Sequence, residues 1–156
     1  IRYPSSRNFL PLRWHNIKCF VTTILRIKEN EMKNSKEYLS EANAIVERVT
    51  VEEGIDLHKK QQAIFIDVRD SAAIAESGTI NGALRIPRGF IEFAADPESP
   101  FHNAHLNKDA KIILVCGAGG QAALAGKTLK EMGYESVRNI GGFADWRDAG
   151  GATEAA

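Results

Sequence analysis

The sequence predicts an α/β domain with a mostly parallel sheet, and two runs of residues carry most of that prediction. "AIFIDVR" (Ala63 to Arg69) and "KIILVC" (Lys111 to Cys116) are short, nearly continuous apolar stretches, the pattern of strands covered on both faces. Segments of helical period lie around and between them, so strands and helices alternate along the chain. At 156 residues, with 44% apolar and 26% charged, the composition suits one globular core.

Residues 1–31 stand apart. Leu10, Trp14, Ile17, Val21 and Leu25 recur at helical spacing among Arg2, Arg7, Arg13, Lys18, Arg26 and Lys28, with no acid before Glu29. That pattern resembles a mitochondrial targeting helix and is equally open to a translated upstream or cloning-derived stretch, or to a packed element; the segment is set outside the fold. From about Ser35 to Val49, Tyr38, Leu39, Ala42, Ile45, Val46 and Val49 share one helical face, so a helix is expected there. Thr50 precedes Glu53 by three residues, a capping-box spacing that opens a short helix ending near Lys59.

The Ala63–Arg69 strand follows, with Asp67 and Arg69 expected to pair at its end. Next come an Ala-rich helix ("SAAIAES"), the turn "SGTINGA" and a brief strand "ALRIP". Gly89 to Ala110 reads mainly as loop with one helical turn, punctuated by Pro97 and Pro100. The Lys111–Cys116 strand runs into a helix from about Gln121 to Met132, closed by Gly133 at C′. "ESVRNI" is a last short strand, and "GGFADWRDAGG" adds a helical turn in which Phe143 and Trp146 are core residues. The expected divisions are residues 1–31 as a non-domain segment, 32–49 as an N-terminal helix, 50–151 as the domain and 152–156 as a tail.

Twenty basic residues balance twenty acidic ones, which gives no electrostatic reason to expect nucleic acid or an anionic membrane as a partner. No apolar run approaches the roughly 18 residues of a membrane-spanning helix. Cys19 and Cys116 form no C-x-x-C pair, which points away from zinc and from a disulfide scaffold and towards a reducing compartment. The expected location is cytoplasmic, or mitochondrial if residues 1–28 are a transit peptide. His102 and His105 are expected to be solvated loop residues rather than metal ligands. No cofactor is expected.

The segment "LVCGAGGQAAL" (Leu114 to Leu124) is where chemistry concentrates. A cysteine nucleophile acts as the thiolate, and a helix N-terminus favours the anion because its unpaired amides carry partial positive charge. Gly117, Ala118, Gly119 and Gly120 have almost no side chain, so their amides are able to turn inward as an anion-binding nest around Cys116. The same residues also fit a buried core cysteine followed by an ordinary glycine turn. In such sheets ligands bind beyond the carboxyl ends of the strands, where Cys116 stands.

Three ordered motifs over about a hundred residues make the stretch from Val46 to Gly151 resemble a rhodanese (sulfurtransferase) domain, and most of all the small single-domain proteins of that family. They are "IFIDVRD", "SGTINGALRIPRG" with Thr79 in place of the family's usual histidine, and "LVCGAGGQAALAGKTLKEMGYESVRNIGGFADWRDAG". The resemblance implies a rhodanese-like α/β fold, a five-stranded mainly parallel sheet flanked by helices on both faces. It also implies a sulfurtransferase, in which Cys116 accepts a sulfane sulfur from a small-molecule donor such as thiosulfate or a persulfide. The persulfide then passes that sulfur to cyanide or a thiol, a protein thiol included.

The resemblance makes Gly117, Ala118, Gly119, Gly120 and Gln121 the substrate-binding loop and brings Arg88 towards it. The loop from Cys116 to Gln121 has six residues, one fewer than in the related phosphatases. The family's loop typically closes with Arg-Ser, where this chain has Gln121 and Ala122. Arginine offers a permanent charge and a planar fork of donors, and glutamine offers neither. The expectation is therefore weakened thiosulfate use and a preference for a less anionic donor. The alternative is a non-catalytic rhodanese-like module that binds a partner or senses redox state.

Overall fold

The computed structural model describes residues 32–156, and the expectations for residues 1–31, Cys19 among them, lie outside the described residues. One compact unit spans Ser35–Ala156. Its central sheet has five parallel strands in the order β1-β6-β5-β2-β4. These are β1 (Glu47–Arg48), β2 (Ile64–Asp67), β4 (Leu84–Arg85), β5 (Ile112–Cys116) and β6 (Val137–Gly142). A separate antiparallel pair joins β3 (Thr79–Ile80) to β7 (Thr153–Glu154).

The alternation of side chains along β5 builds two cores. Ile112, Leu114 and Cys116 face one side and pack with Ala122, Ala125, Leu129, Ile91 and Tyr134. These belong largely to α5 (Gly120–Glu131), α4 (Ile91–Ala95) and the turn that follows α5. Ile113 and Val115 face the other side, against Phe65, Ile140, Phe143 and Trp146, closed by α2 (Val51–Lys59) and α6 (Phe143–Asp148). All five residues of β5 are buried. The expectation that Phe143 and Trp146 are core residues holds, at 3% and 0% exposure.

Local signals formed as expected in several places. Thr50 Oγ1 accepts the Glu53 N–H at 3.1 Å and caps α2. At the end of α5, Gly133 N–H donates to Lys130 C=O and Tyr134 N–H to Leu129 C=O, the paired bonds of a Schellman stop. A cap not anticipated from the sequence is Asp70, which caps α3 (Ser71–Ser77) by accepting the Ala73 N–H at 2.9 Å.

Three expectations need correction. The first helix, α1 (Ser35–Ile45), stops before Val49, because Glu47 and Arg48 pair with Arg138 and Asn139 as an edge strand. Ala42 and Val46 are buried, whereas Ile45 faces out at 46% exposure. Residues 152–156 are not a bare tail: Thr153 and Glu154 pair with Ile80 and Thr79. The Glu154 carboxylate accepts Gly82 N–H at 3.0 Å and Arg85 Nη2 at 3.1 Å, contacts that lower its pKa from the usual value. His102 is not solvated; it is half-buried, with Nδ1 3.1 Å from the Ala94 carbonyl. His105 is exposed.

Candidate active site

Cys116 is the last residue of the central strand β5, and α5 begins four residues later at Gly120. The connection is so short that the residue capping α5, Gly119, lies against the cysteine. Gly119 N–H donates to Cys116 Sγ at 3.0 Å. Gly119 reaches that position in a left-handed conformation, φ +92°, which favours glycine. The sulfur is thus buried, with the cysteine 2% exposed, and still carries an amide donor. Gly117, Ala118 and Gln121 are exposed around it.

Two partners that sequence reasoning missed hold this loop. Asn139, on β6 and fully buried, donates from Nδ2 to the Gly119 carbonyl at 2.9 Å and accepts Gly141 N–H at 2.9 Å. One side chain therefore ties the loop to the end of the neighbouring strand. An asparagine between apolar Val137 and Ile140 in the strand "VRNIGG" was the available signal, since a polar group buried there needs partners. Gly142 is the second: a β-carbon there would stand 2.8 Å from the Gly117 carbonyl oxygen. Removing the amide in Asn139→Leu is expected to leave Gly141 N–H unpaired and cost about 1–3 kcal/mol, read as a lower urea midpoint with unchanged slope.

Arg88 is not brought to the loop. It donates to Glu92 Oε1 at 2.9 Å and to Thr128 Oγ1 at 3.2 Å, and Thr128 lies two turns along α5 from Gly120. Asp67 and Arg69 form the expected ion pair, with Arg69 Nη2 2.6 Å from Asp67 Oδ2. Thr79, in the place of the expected histidine, donates to the same carboxylate at 2.7 Å. Gln121 presents its side chain outward on the first turn of α5. A cleft of about 470 Å³, bordered by His58, Asn81 and His105, lies by the amino ends of β2 and β4, at the other end of the sheet from Cys116.

A family model described as "Rhodanese-like domain" matches residues 50–149. The chain belongs to the rhodanese-like domain family. β1 and β7 lie outside the matched residues. Among curated relatives, thiosulfate sulfurtransferase GlpE of Pseudomonas putida is 34% identical over 101 residues, covering 64% of this chain and 84% of that protein. Protein RPA3614 of Rhodopseudomonas palustris, described as a possible tyrosine phosphatase, superposes with a TM-score of 0.75 at 39% identity, covering 79% of this chain and 96% of that one. The human single-domain sulfurtransferase TSTD1 gives a TM-score of 0.58 at 27% identity over 65% of this rhodanese-like chain and 95% of its own. The family and the five-stranded fold agree with the expectation from the sequence motifs.

Proposed function

We propose that this rhodanese-like protein is a sulfurtransferase that carries sulfur as a Cys116 persulfide. The observation behind the proposal is the lone described cysteine at the carboxyl end of the central strand, its sulfur held 3.0 Å from the Gly119 amide. An amide aimed at sulfur stabilises a thiolate, and afterwards the terminal sulfur of a persulfide anion, without needing a metal or a neighbouring base. In the first half-reaction the Cys116 thiolate attacks the outer sulfur of thiosulfate. The new S–S bond forms as the old one breaks, and sulfite leaves with the bonding electron pair. In the second, an acceptor thiolate or cyanide attacks the outer sulfur and Cys116 departs as thiolate. A reducing compartment keeps Cys116 available for the next donor.

Phosphate ester hydrolysis, raised by the description of the R. palustris protein, is the weaker reading. The six-residue loop ends on Gln121, so no loop arginine is present to stabilise a phosphoryl group. A binding or redox-sensing module is favoured by one observation, the 2% exposure of Cys116.

Intact mass spectrometry separates these readings. After incubation with thiosulfate, 3-mercaptopyruvate or glutathione persulfide, the protein is expected to gain one sulfur that cyanide removes. Cys116→Ser is expected to gain none. Absence of the adduct with all three donors would overturn the proposal in favour of the binding module, and hydrolysis of 4-nitrophenyl phosphate would favour the phosphatase.

A further inference from the structure

The loop lacks the arginine that would close it, yet a guanidinium lies against it from another element. Arg48 ends β1, in register with Asn139 on β6, so its side chain leaves the same face of the sheet as the asparagine that ties down Gly119. A β-carbon built on Gly119 would stand 2.5 Å from Arg48 Nη1, and one built on Gly141 would stand 2.7 Å from Nη2. Both glycines have positive φ. The guanidinium thus occupies the space that these two glycines leave open, beside the loop backbone whose amide reaches the sulfur.

Charge pairing around Arg48 sharpens the point. Glu47, its neighbour in sequence, points to the opposite face and is taken with Glu53 by Arg138, at 3.2 and 2.9 Å. Arg48 itself forms no ion pair or side-chain hydrogen bond among the described residues. The contact path from sulfur through the Gly119 amide to Nη1 limits their separation to about 8 Å. At that range the positive charge acts on an anion at the half-exposed loop, and the carboxylate opposing it is Asp145, whose Oδ2 would stand 3.1 Å from a β-carbon on Gly142.

We propose that Arg48 is the anion-positioning residue of the Cys116 loop, supplying from β1 the positive charge that Gln121 does not. It draws anionic sulfur donors towards the nest by its field and makes no covalent step itself. The selection of anionic donors rests on the sulfur-transfer reading of Cys116; the field at the sulfur does not.

The test uses the full chain and follows alkylation of Cys116 by peptide mass spectrometry, so that Cys19 does not interfere. Anionic iodoacetate is compared with neutral iodoacetamide, because their rate ratio cancels any change in how much thiolate is present. In Arg48→Met the iodoacetate-to-iodoacetamide ratio is expected to fall about threefold or more at low ionic strength. Arg48→Lys is expected to keep most of the ratio, and salt to erase the difference. A ratio unchanged in both Arg48→Met and Arg48→Gln would overturn the proposal whether or not a persulfide forms. Where the adduct does form, Arg48→Met is also expected to raise the KM for thiosulfate severalfold with a smaller change in kcat. A falling alkylation ratio with an unmoved thiosulfate KM would overturn the donor-selecting role alone.

Discussion

Asp67→Ala will lower the stability of the domain by about 3–5 kcal/mol, the cost of leaving a buried cation without its counter-charge. Asp67 is fully buried, and Arg69 is 7% exposed. The Arg69 backbone amide donates to Asp67 Oδ1 at 3.0 Å, and its guanidinium reaches both carboxylate oxygens. The same guanidinium donates to Ser77 Oγ at 2.8 Å and Gly78 C=O at 2.7 Å, and lies 4.4 Å from the Phe143 ring centroid. One ion pair therefore joins the end of β2 to the α3–β3 turn and to the first residue of α6.

Without Asp67, those remaining contacts keep Arg69 inside and prevent it from swinging out cheaply to water. Urea unfolding will show the loss as a lower midpoint, with Thr79→Val as the milder comparison. Thr79→Val removes one hydroxyl donor from the carboxylate, and its expected cost is about 1–3 kcal/mol. A loss under 1 kcal/mol in Asp67→Ala would mean that Arg69 finds solvent in the variant. Because Phe143 follows Gly142, where a β-carbon would stand 2.8 Å from the Gly117 carbonyl oxygen, Asp67→Ala is also expected to slow sulfur loading of Cys116.

The elements easiest to read in the sequence were those whose local pattern and tertiary role agree. In β5, every residue from Ile112 to Cys116 is buried, so an unbroken apolar run was the right signal. Thr50 and the Gly133 stop depend on backbone groups only a few residues away, and both were legible. β1 was not. Val46 and Val49 satisfy a helical face as well as strand burial, and Glu47 and Arg48 have no apolar pattern of their own. Their strand state is set by the ladder to Arg138 and Asn139, a contact between residues about ninety positions apart. β7 is similar: "GGATEAA" has little strand propensity, and Glu154 is fixed by Gly82 and Arg85 from the middle of the chain.

The candidate site divides along the same line. Cys116 and its small-residue loop are contiguous in sequence, so a candidate thiolate nest was legible there, and the sulfur-transfer expectation came from the family resemblance. Asn139, Gly142 and Arg48 arrive from two other strands, and only the order β1-β6-β5 places them beside the loop. The break in register between Leu114 and Val115 then shifts the pairing, so that Val115 meets Gly141 and Cys116 meets Gly142. No local pattern announces that shift, although the double glycine makes its close approach to Gly117 possible.

Gln121→Arg is expected to raise kcat/KM for thiosulfate about ten- to a hundredfold, the equivalent of about 1.5–3 kcal/mol for a charge-assisted contact. Gln121 is exposed on the first turn of α5, so the longer side chain has room and need not displace packed neighbours. A cation at a helix N-terminus opposes the helix dipole at a cost of about 0.3–1 kcal/mol. That cost is smaller than the expected gain in donor binding, so activity rises while thermal stability falls slightly. The gain is expected to be smaller for a less anionic persulfide donor, because the added fork recognises a charged sulfonate group.

Arg48 determines where in that range the gain falls. If its charge already acts on the donor, a second cation at position 121 meets a partly neutralised anion and gains less. The same Gln121→Arg change made in an Arg48→Met background will then give the larger enhancement. Turnover in Gln121→Arg no faster than in the parent would mean that the loop length alone, with its Gly119 amide, sets the rate of thiosulfate use. Equal enhancement in both backgrounds would instead show that the two cations act on the donor independently.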